Sequence, residues 1–185
     1  RVQRLATATQ EVLKVAACLG NRFDLASLAT VAAAPAGEVG QRLWPAVEAG
    51  LVLPLDQVHS AVELTHSGRK VHFQFAHDRI QQAMVSTIAD DARSAMHRQV
   101  GLRLHASASP EQREQQLFDI VGQLNQGRSV ISEHADRLEL ARLNLRAARK
   151  ALKAAAGQPG FGYAKLGISL LDGDCWQRDY ELIRD

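Results

Sequence analysis

Aromatic residues and cysteines are scarce in this sequence. Phe, Trp and Tyr together make up 5% of the 185 residues, and the apolar 46% comes mostly from Ala, Leu and Val. This composition favours closely packed helices over a β-sandwich or barrel. The two cysteines, Cys18 and Cys175, lack the spacing of a metal or redox site, so we expect structural roles for both.

Long hydrophobic runs are also missing. No stretch approaches the roughly 18 consecutive apolar residues that a membrane span needs, and no signal peptide precedes the first amphipathic segment. We therefore expect a soluble, cytoplasmic protein without membrane contact. The chain begins with Arg1 rather than Met and stops inside a helical pattern at residues 180–185, which predicts that both ends are internal to a longer protein.

The sequence has no excess of one charge and no catalytic motif. Its 22 basic and 20 acidic residues are interspersed, which leaves a formal net charge of +2 and indicates no polyanion partner. It contains no G-x-x-x-x-G-K-[ST] phosphate loop, H-E-x-x-H zinc motif, G-x-S-x-G motif or kinase signature. His97 and His105 lie eight residues apart, but further zinc ligands are lacking, so we expect solvated or capping histidines. We predict neither a metal site nor enzymatic activity for this chain.

Three short helices are predicted within the first fifty residues. Apolar residues recur at three- and four-residue intervals in the first helix, which ends at Gly20. Asp24 is placed to cap a second helix, and Pro35 opens a third that stops at Gly50. This spacing is typical of a helix-turn-helix.

Two strands should follow these helices. Residues 51–55 form a compact apolar run, and apolar residues alternate with polar ones in residues 71–75. The polar residues 66–70 between them predict the turn of a β-hairpin. Since a helix-turn-helix followed by a hairpin is a winged helix, we assign a winged-helix domain to residues 1–89.

From residue 78 onwards, helix follows helix. Asp78 and Gln81 have the spacing of a capping box, and residues 109–112 combine an N-cap Ser with a first-turn Pro and a Gln. Ser132 is placed to cap a long helix that the glycine-rich residues 157–160 should end.

The second half of the chain therefore predicts antiparallel helix pairs. Pairs of this kind stack into helical repeats, so we assign the start of a helical-repeat domain to residues 90–185. The match to the tetratricopeptide pattern is fragmentary, and the repeat type stays open. The fold class predicted for the whole chain is mainly α.

The predicted helix-turn-helix raises the question of DNA binding. The third helix would enter the major groove, yet its only cation is Arg42, opposed by Glu38 and Glu48. We therefore expect a protein-contacting winged helix and no nucleic acid partner. The alternative is a DNA-binding winged helix of a transcription regulator that uses Arg42 together with Arg69 and Lys70 of the wing.

Residues 73–83, Phe-Gln-Phe-Ala-His-Asp-Arg-Ile-Gln-Gln-Ala, resemble a known family. The resemblance is to the segment that follows the ATPase module in large bacterial signalling proteins of the STAND class. These proteins combine a serine/threonine-kinase-like domain, an AAA-type ATPase, a GAF domain and a histidine kinase. Further similar stretches are residues 13–24, 43–54, 117–125 and 176–180, so the resemblance covers nearly the whole chain.

The resemblance implies a nucleotide-sensing role for His77. In STAND proteins a His at this position contacts the β-phosphate of ADP on the adjacent ATPase domain and holds the closed state. By resemblance, Asp78 would orient the His or cap the helix, and Arg79 would meet an acidic partner. The alternative is that Asp78 is only a cap and His77 only the residue before it.

The resemblance also implies the function of the chain. The chain would be a non-catalytic regulatory module of a larger signalling protein of the two-component type. That parent protein would be an ATP-binding sensor histidine kinase or serine/threonine kinase. The fragment itself would bind no cofactor, because ATP or ADP would occupy the adjacent domain of the parent. Its partners would be the ATPase and kinase domains of the same chain, and other proteins through the helical repeats. If the DNA-binding alternative holds, the parent would be a STAND-type transcription regulator.

Overall fold

The protein is mainly helical, as its composition predicts. A computed structural model describes residues 2–66 and 71–171. The helices in these ranges are α1 Thr7–Leu19, α2 Leu25–Ala32, α3 Ala36–Glu48, α4 Ala61–His66, α5 Asp78–Ser86, α6 Asp90–Ser107, α7 Pro110–Gln115, α8 Leu117–Gln126, α9 His134–Lys153 and α10 Gly157–Ser169. The strands are β1 Arg22–Asp24, β2 Val52–Pro54 and β3 His72–Phe75, and short 3₁₀ helices lie at Val2–Arg4 and Arg128–Val130. Across this part of the chain, no helix combines the length and apolar composition that crossing a membrane requires.

The first fifty residues contain the three predicted helices. Asp24 caps α2, because its carboxylate accepts a hydrogen bond of 2.8 Å from the amide of Ser27. Pro35 directly precedes α3, and Gly50 follows it with a φ of +67°, a left-handed conformation that glycine adopts without strain. The local end signals of these helices were therefore sufficient to predict them.

The three strands form one antiparallel sheet in the order β1-β3-β2. The predicted pairing of the two apolar segments is present, with Val52 opposite Phe75. β1 was not predicted, since a strand of three residues is too short to show alternation. It forms by pairing with the other edge of β3, where Phe23 lies opposite Phe73.

The connection between β2 and β3 is not the simple turn that the sequence predicts, because it contains α4. The Glu63 carboxylate accepts a hydrogen bond of 3.1 Å from the amide of His59, which supports the start of this helix. Leu64 of α4 is buried against α3, where Gly40 leaves room for it. A Cβ added at Gly40 would lie 3.0 Å from two carbons of Leu64. Of the predicted turn residues 66–70, residues 67–70 lie outside the described residues.

A first buried cluster joins the sheet to the helices around it. The ring of Phe23 stacks on Phe73 with 5.9 Å between centroids and lies 5.7 Å from Phe75. The cluster also contains large aliphatic side chains from five helices, α1 to α5, which include Leu13, Leu28, Leu43, Leu64 and Met84. Burial of these apolar side chains stabilises the first half.

The capping box predicted for α7 is confirmed. The Ser109 hydroxyl accepts a hydrogen bond from the amide of Gln112 at 3.3 Å, and the Gln112 side chain accepts one from the amide of Ser109 at 2.8 Å. The flanking helices α6 and α8 pack closely against each other. A Cβ added at Gly101 of α6 would lie 2.7 Å from the side chain of Leu124 on α8, so this close approach requires glycine.

The predicted start of α9 is wrong. Glu133, not Ser132, is the N-cap residue, and no side chain caps the helix. Ser132 instead uses its backbone carbonyl, which accepts a hydrogen bond of 2.7 Å from the guanidinium of Arg137.

The glycine-rich residues 157–160 begin α10 instead of ending α9 as predicted. α9 ends at Lys153, and Ala155 makes the turn with a φ of +57°. Gly160 serves packing, because a Cβ added there would lie 3.1 Å from the side chain of Leu152 and 3.3 Å from the carbonyl oxygen of Ala148.

A second buried cluster lies among α6, α8, α9 and the end of α10, and it also includes Cys18 and Val31 from α1 and α2. The Arg103 side chain of α6 donates a hydrogen bond to the carbonyl oxygen of Val31. Within the cluster, the buried amides of Asn125 and Asn144 donate to each other at 2.9 Å in both directions. Residues before and after position 89 thus share this core, and the division into two domains at that position stays a prediction.

Candidate functional site

The chain leaves the sheet at a fixed point just before His77. The amide of Phe75 donates a hydrogen bond to the carbonyl oxygen of Asn21 at 3.0 Å, and the amide of Ala76 donates to that of Leu51 at 3.0 Å. Backbone on both sides therefore holds the end of β3. The position of the next residue relative to the sheet is set by these two bonds.

The three predicted sensing residues, which are consecutive in the chain, lie at the N-terminal end of α5. His77 is the N-cap residue, with extended backbone angles and no capping hydrogen bond from its side chain. Asp78 and Arg79 are the first two residues of the helix, and all three side chains are exposed. We refer to these three residues as the α5 corner. An exposed imidazole at a helix N-terminus is available to an anion from outside the chain.

The predicted capping box between Asp78 and Gln81 is wrong. Asp78 lies inside the helix rather than at its N-cap, and the Gln81 side chain points elsewhere. It donates a hydrogen bond of 2.8 Å to the carbonyl oxygen of Ala17 at the end of α1. The carbonyl of a helix end has no partner within its own helix, which makes it a good acceptor for this amide.

α5 is held in place by its buried face. Met84 is buried in the first cluster, and Ile80 and Val85 pack against the same cluster. Ile88, just beyond the end of the helix, belongs to the second cluster. The exposed corner is therefore attached to a helix whose other end contacts both buried cores.

His97 differs from the solvated or capping histidine that we expected. It is buried on α6, and its Nδ1 lies 2.8 Å from Oε1 of Gln123 on α8. The Gln123 side chain also donates a hydrogen bond of 2.7 Å to the carbonyl oxygen of Cys18 on α1. This network was missed because its members are far apart in sequence.

No cluster of three or more His, Cys, Asp or Glu residues within the described ranges could hold a metal ion. His105 is half-buried on α6. Burial, followed by the nearby Arg113 guanidinium, lowers its pKa. This shift disfavours the charged form of His105 at neutral pH.

The residues of the DNA-binding alternative are only partly described. Arg42 lies on the exposed side of α3, where Glu38 forms an ion pair with it. Glu48 on the same helix accepts a hydrogen bond of 3.1 Å from the Trp44 indole. The predicted wing residues Arg69 and Lys70 lie outside the described residues. The exposed side of α3 thus presents a paired cation and a further carboxylate, which is unfavourable for phosphate contact.

Comparison with known proteins gives one weak similarity. No family model and no solved structure matches the chain. The chain is similar to hybrid signal transduction histidine kinase G of Dictyostelium discoideum, with 23% identity over an aligned length of 230 residues. The similarity covers 98% of this chain, which spans 7% of the length of that relative. This similarity fits a role in signal transduction.

Proposed function

We propose that the chain is a non-catalytic regulatory module of a multidomain signalling kinase, which couples the nucleotide state of an adjacent ATPase domain to output domains. The observation that carries the proposal is His77, which stands exposed at the N-terminal end of α5 with its side chain free of any capping bond. The similarity to a hybrid histidine kinase supports a signalling context. The resemblance of residues 73–83 to STAND proteins is the reason for proposing an ATPase domain as the partner.

The proposed fold of the first half is a winged helix. The order of elements α1-β1-α2-α3-β2-α4-β3, with β3 at the centre of the sheet, agrees with that fold except for the additional helix α4 between β2 and β3. The second half is proposed to begin a tetratricopeptide-like helical repeat, which the close packing of α9 and α10 supports. In this arrangement the first half would contact the ATPase domain and the second would serve as scaffold.

The proposed chemistry uses the N-terminal end of α5. Free backbone amides and the helix dipole favour an anion at this end, and the imidazole of His77 adds a donor in the same place. A β-phosphate of ADP on the neighbouring domain would be bound here. Because the contact exists only when the two domains are closed, it would shift the population towards the closed state.

The other two residues of the α5 corner have supporting roles in this proposal. The Asp78 carboxylate, next to His77 in sequence, would orient the imidazole. Arg79 would form an ion pair with an acidic residue of the ATPase domain. The chain itself performs no reaction, and the parent would be an ATP-binding sensor histidine kinase or serine/threonine kinase of the cytoplasm.

The test compares His77→Ala with wild type in the full-length parent. The variant is expected to copurify with less ADP and to show higher basal kinase output, because the closed state has lost a contact. His59→Ala removes another exposed histidine and should change neither quantity. Wild-type nucleotide content and output in the His77 variant would remove the sensing role.

The DNA-binding alternative is tested with the isolated chain and a labelled random duplex. We expect no binding in a fluorescence-anisotropy titration, given the paired Arg42. Micromolar binding that weakens steeply with salt and is lost in Arg69→Ala and Lys70→Ala variants would favour the alternative.

A further inference from the structure

Two consecutive carbonyl groups at the end of α1 bind side chains from two later helices. Gln81 of α5 donates a hydrogen bond of 2.8 Å to the carbonyl oxygen of Ala17. Gln123 of α8 donates one of 2.7 Å to the carbonyl oxygen of Cys18. Since the last carbonyls of a helix lack partners within it, these two amides supply missing donors. The helix that carries the α5 corner and a helix of the second cluster thus meet at one helix end.

Gln123 is bound at both ends of its amide. Its Oε1 lies 2.8 Å from Nδ1 of His97, while its Nε2 donates to the carbonyl of Cys18. Gln123 and His97 are both buried, with 8% and 6% of their surface exposed. A buried polar group that loses a partner is left unsatisfied at a cost of desolvation. The end of α1 therefore cannot move without disturbing the contact between α8 and α6.

Gln81 is linked to the α5 corner through the helix itself. It lies four residues after His77, which is about one helical turn. Displacement of the corner as a rigid body with α5 would act directly on the bond from Gln81 to Ala17. The buried contact of Met84 gives α5 a second attachment in the first cluster.

We infer that the C-terminal end of α1 is a junction that transmits a displacement of α5 to the packed pair of α6 and α8. The junction consists of the carbonyls of Ala17 and Cys18 and the side chains of Gln81 and Gln123, which are its positioning residues. The inference rests on the proposed function for the source of the displacement. The coupling itself is a property of this chain alone.

The first test is a double-mutant cycle on the unfolding equilibrium in urea. Methionine replaces each glutamine, because it keeps the length of the side chain and removes its amide. Gln81→Met should raise the unfolding constant about fivefold, the factor for one net hydrogen bond, and Gln123→Met about 25-fold, because it removes two. If the hydrogen bonds from the two glutamines to the end of α1 act as a unit, the unfolding constant of the double variant should rise at least threefold less than the product of the two single increases.

A matched control uses the neighbouring residue Gln82, which is exposed. Gln82→Met combined with Gln123→Met should give the product of the single effects to within about twofold. A multiplicative result for the pair Gln81→Met and Gln123→Met, equal to that of the control, would overturn the junction.

The second test follows amide hydrogen exchange under conditions where the amides exchange by local opening. Gln81→Met should speed exchange about fivefold in α8 and in α6 around His97, whereas Gln82→Met should leave these amides unchanged. Faster exchange confined to α1 and α5 would contradict transmission.

Neither measurement contains nucleotide, so the two proposals fail separately. A coupled cycle with normal ADP retention in the His77→Ala parent would overturn the proposed function and leave the junction standing. An uncoupled cycle with lost ADP retention in the His77→Ala parent would overturn the junction and leave the proposed function standing.

Discussion

Gly127→Ala should separate the end of α8 from α6 at a point where their backbones approach closely. Gly127 directly follows α8, and a Cβ added there would lie 2.5 Å from the amide nitrogen of Arg98 and 2.8 Å from its Cα. Real Cβ atoms essentially never come within 3.0 Å of a heavy atom outside their own residue and its chain neighbours. Because the obstacle is backbone, no side-chain rotation relieves the clash, and one of the two helices has to shift.

The magnitude follows from two opposing effects. Overpacking in a well-packed region costs about 1–3 kcal/mol. Gly127 has a φ of −89°, which alanine adopts freely, so the substitution gains roughly 0.4–1 kcal/mol from the unfolded state. Values near the middle of these two ranges give a net destabilisation of about 1–2 kcal/mol. In a chain of 185 residues this corresponds to a Tm lower by roughly 2–8 °C.

The assay is thermal and urea unfolding followed by circular dichroism, with Gly122→Ala as the matched control. Gly122 lies inside α8, and nothing is within 4 Å of a Cβ added there. Its replacement by alanine should therefore stabilise the protein by up to about 1 kcal/mol through helix propensity. Equal stability of the Gly127 and Gly122 variants would refute the close approach of α8 to α6.

Two further predictions concern the buried cores. Phe73→Ala should lower the free energy of unfolding by about 3–5 kcal/mol in urea titrations, because Phe73 is 0% exposed. Leu53→Ala on the exposed side of the same sheet should change it by less than about 0.5 kcal/mol, and similar losses for both would contradict the assigned faces. Burial raises the pKa of the Cys18 thiol from 9.0 to about 11. The unfolded chain then loses this proton at a lower pH than the folded chain, so deprotonation favours unfolding. Between about pH 9 and pH 11, the free energy of unfolding of wild type should fall by roughly 2 kcal/mol relative to that of Cys18→Ala. A stability difference between the two proteins that stays constant over this range would show that the thiol is not buried as described.

Local signals explain which parts of the fold the sequence predicted. Asp24 and the capping box at Ser109 and Gln112 form their bonds within three residues, so their pattern is visible in the sequence. The wrong caps failed because the two side chains do not form the local bonds that their spacing indicated. Gln81 binds the end of α1, and Ser132 uses its carbonyl in place of its hydroxyl.

Packing explains what the sequence did not reveal. The helix α4 depends on the fit of Leu64 over Gly40, two residues that lie far apart in the chain. The glycines at the start of α10 resemble a helix stop when taken alone. Only the presence of α9 beside them shows that Gly160 allows two helices to approach.

The nucleotide-sensing role of the α5 corner stays a prediction. His77 and its two neighbours were identified through their resemblance to a family motif, and they do lie together on an exposed helix end. Gln81 carried a signal that was overlooked. It shares a helical face with Met84, three residues later, and a polar residue on an apolar stripe indicates a buried polar contact.

The most direct test of the account measures the rate of ADP release from a protein that joins this chain to the ATPase domain proposed for its parent. Release of a fluorescent ADP analogue would be followed after a chase with unlabelled ADP, in wild type, His77→Ala and His59→Ala. Loss of one hydrogen bond to a charged phosphate costs about 1.5–3 kcal/mol, so His77→Ala should release ADP roughly 10- to 100-fold faster, with His59→Ala unchanged. Identical release rates in all three proteins would contradict the nucleotide-sensing role proposed for the α5 corner.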